Sequence, residues 1–123
     1  PNTLVYKGMM ASDVPNCAVA MGYTNASWTL KVDLVCEYVC RLLNHMQANG
    51  VKRMAPALRD EDRTMPILPW IDTEDFNPGY VTRSMHLLPK RGDKPEWQHS
   101  QDYWSEKDAF PAIDLNDKAF VYG

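Results

Sequence analysis

Residues 22–33 read GYTNASWTLKVD, and they carry the small polar side chains of Thr24, Asn25, Ser27 and Thr29, with Ala26 and Trp28 between them, into a long apolar helix. A helix start exposes N–H groups that lack intrahelical partners, together with about half a positive charge. An anionic or electron-accepting ligand edge fits such a place. Plain capping by Asn25 or Ser27 accounts for the same residues, and the pattern by itself leaves both readings open. Strand, small polar loop and enclosed helix is also the order in which α/β sheets present a ligand-facing turn.

Other residue types support less chemistry. His45, His86 and His99 share no spacing and read as structural. The clusters Asp60-Glu61-Asp62 and Asp72-Glu74-Asp75 sit in polar loops and read as solvated charge. No G-x-S-x-G elbow is present, so Ser–His–Asp hydrolysis has no support. Asn25-Ala26-Ser27 fits a glycosylation sequon by chance. Cys36 and Cys40, four apart on one helix, hold their Cβ atoms about 5–6 Å apart, beyond the roughly 3.8 Å of a disulfide. They could fill two zinc positions, but no CxxC or HxxxH supplies the other pair, so no metal is expected. With Cys17, they read as small buried hydrophobes in a reducing compartment. The six glycines fit neither G-x-G-x-x-G nor G-x-x-x-x-G-K, so the chain lacks a pyrophosphate cradle. No catalytic residue is assigned.

The elements that position the polar run are few. Leu4 to Met10 and Cys17 to Met21 are strand candidates, joined by a turn at ASDVPN. A helix follows from Trp28 to Ala48. Leu30, Leu34, Tyr38 and Leu42 form one apolar ridge on it, and Val32, Cys36, Val39, Leu43 and Met46 form another. A helix apolar over so much of its surface is expected to be enclosed on several sides, and Asn49-Gly50 stops it. Beyond Gly50 lie seven of the nine prolines, with aromatic residues spread among them. That mixture predicts an irregular strap packed over another surface, with short helices at VTRSMHLL and QHSQDYWSEKD.

Length and composition narrow the rest. At 123 residues, 45% apolar and 24% charged, the chain is in the single-domain range and is neither collagenous nor a charged disordered tail. Against 16 acidic residues its 13 basic residues are scattered, so nucleic acid is not an expected partner. No apolar stretch approaches the roughly 20 residues of a membrane span, and a cytoplasmic protein is expected. The chain opens at Pro1 and enters LVYKGMM as a strand already under way, so a piece of something longer is expected, with the missing walls of the helix upstream.

The run VPNCAVAMGYTNASWTLKVDLVCEYVCRLLNHM resembles the C-terminal end of the FAD domain in flavin-containing monooxygenases of the Baeyer–Villiger type, nearest to the subgroup of bacterial ethionamide-activating enzymes. VYKGMM, GYVTRS, LLPKRG and Pro95-Glu96-Trp97 extend the resemblance over about residues 4–105. It implies an α/β fold, with residues 1–50 as the end of an FAD-binding Rossmann-like domain and residues 51–123 as a C-terminal strap. It further implies that Thr24, Asn25, Ala26, Ser27, Trp28 and Thr29 lie beside the flavin and a small organic substrate, where the helix end favours anionic reduced flavin. Such enzymes reduce FAD with NADPH, then insert oxygen into ketones or oxidise nitrogen or sulfur. The family's two glycine-rich nucleotide motifs and its F-x-G-x-x-x-H-x-x-x-W fingerprint are missing here. The chain is therefore expected to need an upstream nucleotide-binding portion, and to be inactive and without cofactor alone. A non-catalytic interaction module, pairing exposed strands with a partner chain, is the alternative.

Overall fold

The computed structural model describes residues 2–72, 74 and 76–123. Pro1 and Asp75, the last residue of the second acidic cluster, lie outside them. The first strand candidate is a hairpin rather than one strand. β1 (Val5–Tyr6) turns back through Lys7 and Gly8 and pairs antiparallel with β2 (Met10–Ala11). Lys7 and Gly8 have φ of 48° and 73°, the left-handed region that glycine adopts without steric cost. Gly8 is required for a second reason. A Cβ there would lie 2.6 Å from Cβ of His99, so the hairpin tip rests directly on the strap.

The second strand candidate is overturned. Residues 17–20 form no strand and are exposed, tied to the hairpin by the Val19 N–H bond to the Met9 carbonyl. That single bond beside β2 is not extended into a ladder among the described residues. Asn16 takes over part of that role. Its backbone and side chain exchange three hydrogen bonds with Lys52 and Met54, which satisfies the edge of the next strand.

The 21-residue helix α1 (Trp28–Ala48) has the bounds its periodicity predicts. Neither Gly nor Pro interrupts it, and Gly50 at φ 66° ends it, with the Asn49 side chain donating to the His45 carbonyl. Lys31, Leu34, Val35, Tyr38, Leu42 and Met46 form its buried stripe at three- and four-residue spacing. The expected enclosure on several sides is not found within this chain. On the second ridge Met46 is buried, but Cys36 is exposed and Leu43 is 58% exposed. All three cysteines are exposed, contrary to the buried reading, because Cys36 and Cys40 fall on surfaces of α1 that nothing here covers.

The remaining chain supplies short elements. β3 (Met54–Pro56) pairs antiparallel with β6 (Phe120–Tyr122), and β4 (Leu68–Pro69) with β5 (Lys90–Arg91). α2 (Gly79–Ser84) runs into a 3-10 turn at Met85–Leu87, and α3 (Tyr103–Ala109) closes the strap. Among the described residues, three helices and small antiparallel sheets make a mixed α/β fold. No described helix is long and apolar enough to cross a membrane. Tyr6, Tyr38 and Trp97 are almost fully buried at the centre, with Phe110, Ile113 and Phe120 from the strap packed on α1 and the hairpin. Tyr6 sits edge-on to Phe120 at 4.7 Å and to Trp97 at 6.0 Å, and its hydroxyl donates to Asp117 Oδ2.

One polar knot fixes the irregular strap. The buried carboxylate of Asp62 accepts from Arg59 Nε and Nη2, from Lys94 Nζ at 2.9 Å and from the Arg59 N–H. It was not solvated loop charge after all. The Arg59 guanidinium, with Lys94 beside it, holds the Asp62 carboxyl well below the usual carboxylate range despite burial. A carboxyl with a depressed folded pKa stabilises fully above its unfolded value of about 4. That contribution is lost as pH falls through the depressed value. Asp62→Asn is expected to cost about 3 kcal/mol at neutral pH, the low end for a broken buried pair because Arg59 and Lys94 can turn to water. It should also flatten the acid limb of stability, and thermal melts from neutral pH downward check both effects.

Candidate functional site

The start of α1 is shaped by what it lacks. Ser27 occupies the N-cap position in a non-helical conformation, yet makes no side-chain capping bond. Its Oγ lies 2.9 Å from Thr29 Oγ1 instead. No acidic residue occupies the first turn. Plain capping by Ser27 therefore does not explain this run, and the positive helix end carries no local countercharge from its own first turn. The preceding bend is held from the strap, where Gln101 Oε1 accepts from the Thr24 N–H at 2.8 Å and from its hydroxyl at 3.0 Å.

Thr24, Asn25, Ala26, Ser27, Trp28 and Thr29 are all exposed and share one end of the molecule. Trp28, 54% exposed, lays its ring over buried Gly22. A Cβ at Gly22 would sit 2.2 Å from the indole Cδ2, so only glycine permits that approach. Thr24 and Trp28 border a cavity of about 190 Å³, whose other side is formed by Trp70, Phe76, Val81 and His99. Thr24 and Asn25 also border a wider space of about 540 Å³ that reaches Arg91. Ala26 and Asn25 face an open groove beside Trp104. Ser27 and Thr29 border none of these spaces.

The strap side of the cavity is held by an aromatic contact and hydrogen bonds. Trp70 and His99 rings lie 4.2 Å apart, and Trp70 Nε1 donates to Met21 Sδ at 3.3 Å. His99 Nε2 is 2.7 Å from the Trp70 carbonyl. A carbonyl only accepts, so Nε2 carries the proton, and in the neutral ring Nδ1 is left as an acceptor. Burial pushes the His99 pKa down, which favours that neutral form.

Beneath Trp28 lies a buried charge cluster. Lys31, 3% exposed, donates to both Glu106 oxygens at 2.8 and 2.9 Å, and Tyr23 donates to Glu106 Oε1 at 2.6 Å. The Lys31 ammonium also sits 4.3 Å from the Phe110 ring centroid. Burial lowers the Lys31 pKa against the raising pull of Glu106, and burial with the Glu106 contact pushes the Tyr23 hydroxyl up. Sequence reasoning missed Lys31, Glu106, Trp70 and His99. Lys31 left a signal, a charge within the apolar stripe three residues before Leu34. The other three left none, since their partners are distant in sequence. Among the described residues no group of three His, Cys, Asp or Glu could hold a metal ion.

The arrangement offers an uncapped helix end, a polar edge and an aromatic cavity, features that suit a planar, electron-accepting ring. The chain is 49% identical over 102 residues to the FAD-containing monooxygenase EthA of Mycolicibacterium smegmatis, a match covering 83% of this chain and 20% of that protein. EthA of Mycobacterium tuberculosis is likewise 49% identical, over 104 residues. By sequence, the chain belongs to the EthA-like FAD-containing monooxygenases. A protein of Acinetobacter sp named "Probable FAD-binding monooxygenase AlmA" is 36% identical over 118 residues, 93% of this chain and 22% of that protein. The chain thus spans about a fifth of the length of the EthA-like relatives it matches. No family model matches it, and no solved structure does.

The Gly22–Trp28 contact gives a direct test. Gly22→Ala should swing the Trp28 ring away at a stability cost of about 1–3 kcal/mol, as for overpacking a close contact. A changed Trp28 emission, taken as the difference from Trp28→Phe, reports the swing.

Proposed function

We propose that this EthA-like chain forms the C-terminal part of a cytoplasmic FAD- and NADPH-dependent monooxygenase that inserts oxygen into ketones or oxidises nitrogen or sulfur. Residues 1–50 would end its FAD-binding Rossmann-like domain, and residues 51–123 would be the strap across it. The observation that carries this reading is the exposed, uncapped start of α1 beside an aromatic cavity. Thr24, Asn25, Ala26, Ser27 and Thr29 would hold the edge of the flavin, with Trp28 bordering both flavin and substrate. The helix end favours negative charge there. The redox and oxygen chemistry belongs to FAD, supplied with electrons by NADPH. This chain's own part is to orient, to exclude water and to line the substrate cavity. Without a glycine-rich phosphate cradle it would bind no cofactor and be inactive alone.

The uncovered ridge of α1 supports a large neighbour. Val39, Leu43 and Met46 border a second cavity of about 220 Å³ with Met10 and Cys17, a face suited to the upstream nucleotide-binding portion of the same enzyme. The exposed extended segment 17–20 favours a second reading, a non-catalytic interaction module that adds a strand to a partner chain.

Trp28→Ala in the complete enzyme separates the two. The monooxygenase reading expects a shifted flavin spectrum and a drop of about tenfold or more in oxygenation, the loss of roughly 1.4 kcal/mol of transition-state stabilisation. A wild-type spectrum and turnover would count against it. Leu43→Glu tests the covered face. On an exposed site it should move the stability of the chain alone by no more than about 0.5 kcal/mol, yet abolish association with the nucleotide-binding portion. Intact association would rule that face out.

A further inference from the structure

We propose that Glu106 is a positioning residue that grips both ends of the turn formed by the bend at residues 24–27 and the first residues of α1, 28–30, and so couples α3 of the strap to the ligand-facing start of α1. Tyr23 is the residue before the turn and Lys31 the residue after it, and both donate to the one Glu106 carboxylate. Between them, Gln101, from the segment leading into α3, accepts from Thr24. The turn is therefore closed like a loop whose two ends are fastened to one point, with a second tie near its first residue.

Geometry makes this a directional device rather than a source of stability. Every donor is accounted for: two bonds from the ammonium reach the carboxylate, its remaining charge lies over Phe110, and Tyr23 supplies the third bond. Hydrogen bonds to a charged acceptor at 2.6 to 2.9 Å are short and directional. A buried ion pair nevertheless adds little net stability over apolar residues of the same volume, because both charges lose their hydration. What the cluster supplies that apolar packing would not is a fixed register between α3 and the turn. Two donor atoms must meet one carboxylate through three bonds, and a sliding or rotation of α3 breaks all three together. The strap then sets the orientation of Trp28 and Thr24, which border the cavity.

The consequence for flavin rests on the reading of residues 24–29 given above, whereas the grip itself does not. The test uses the complete enzyme with two variants. Tyr23→Phe removes one grip and leaves the ion pair. The triple variant Tyr23→Phe, Lys31→Met, Glu106→Leu removes every grip without stranding a buried charge, so it is expected to fold. Two readouts are taken. Amide hydrogen exchange at Thr24 and Leu30, both hydrogen-bonded in this structure, should quicken several-fold in the first variant and at least tenfold in the triple. The flavin absorbance spectrum and the kcat for oxygenation should change in the same order, while KM for NADPH stays constant. Unchanged exchange in a folded triple variant would overturn the grip. Quickened exchange with wild-type flavin spectrum and kcat would uphold the grip and overturn its coupling to flavin. The function reading fails separately, when Trp28→Ala is also silent.

Discussion

Helix α1 has more apolar surface than this chain can cover, and the rest of the structure follows from how that surface is divided. The helix is about 32 Å long at 1.5 Å per residue, enough to run the length of a small domain. Its first ridge is buried by the hairpin and by aromatic residues of the strap, which arrive without long strands or helices of their own. An irregular segment can do this only if its backbone groups are satisfied. Asn16 at the edge of β3, Arg41 donating to the carbonyls of Phe110 and Ile113, and Asp62 at the Arg59–Lys94 knot meet that need. Part of the second ridge, at Cys36 and Leu43, is left uncovered by this chain.

The two ends of α1 are treated differently. At its C-terminus Asn49 and Gly50 close the carbonyls in the ordinary way. At its N-terminus the cap is not made, the first turn holds no acid, and a lysine points inward instead of outward. A positive helix end beside a buried ammonium would be unfavourable if Glu106 did not balance the charge. With Glu106 in place, the strap neutralises the lysine while the helix end stays open. Charge balance inside and openness outside are thus achieved by the same contact.

Much of this was legible in the residues. The bounds of α1, its stop and the approximate places of the short helices in the strap follow from periodicity, Asn-Gly and the absence of Gly or Pro inside the helix. The EthA-like resemblance was legible in the run from Thr24 to Thr29. What failed depended on partners far along the chain. LVYKGMM alternates like a strand, but Gly8 bends it where His99 passes. Residues 17–20 have strand composition, but only the Val19 N–H bond to Met9 ties them to the hairpin, and no ladder forms. The cysteines have buried composition on an unburied face. His99 and Trp70 come together across 29 residues, and no local pattern marks such a pair.

The proposed function rests on one division of labour: this chain would present a flavin-facing turn, and the nucleotide-binding portion would hold the cofactor's phosphates. A fluorescence titration of FAD tests it, with this chain alone and with the chain joined to a glycine-rich nucleotide-binding portion of an EthA-like enzyme. The account predicts no quenching by the chain alone, and stoichiometric binding by the joined protein that exceeds what the nucleotide-binding portion achieves by itself. Tight binding by this chain alone, or a joined protein no better than the portion without it, would contradict the account.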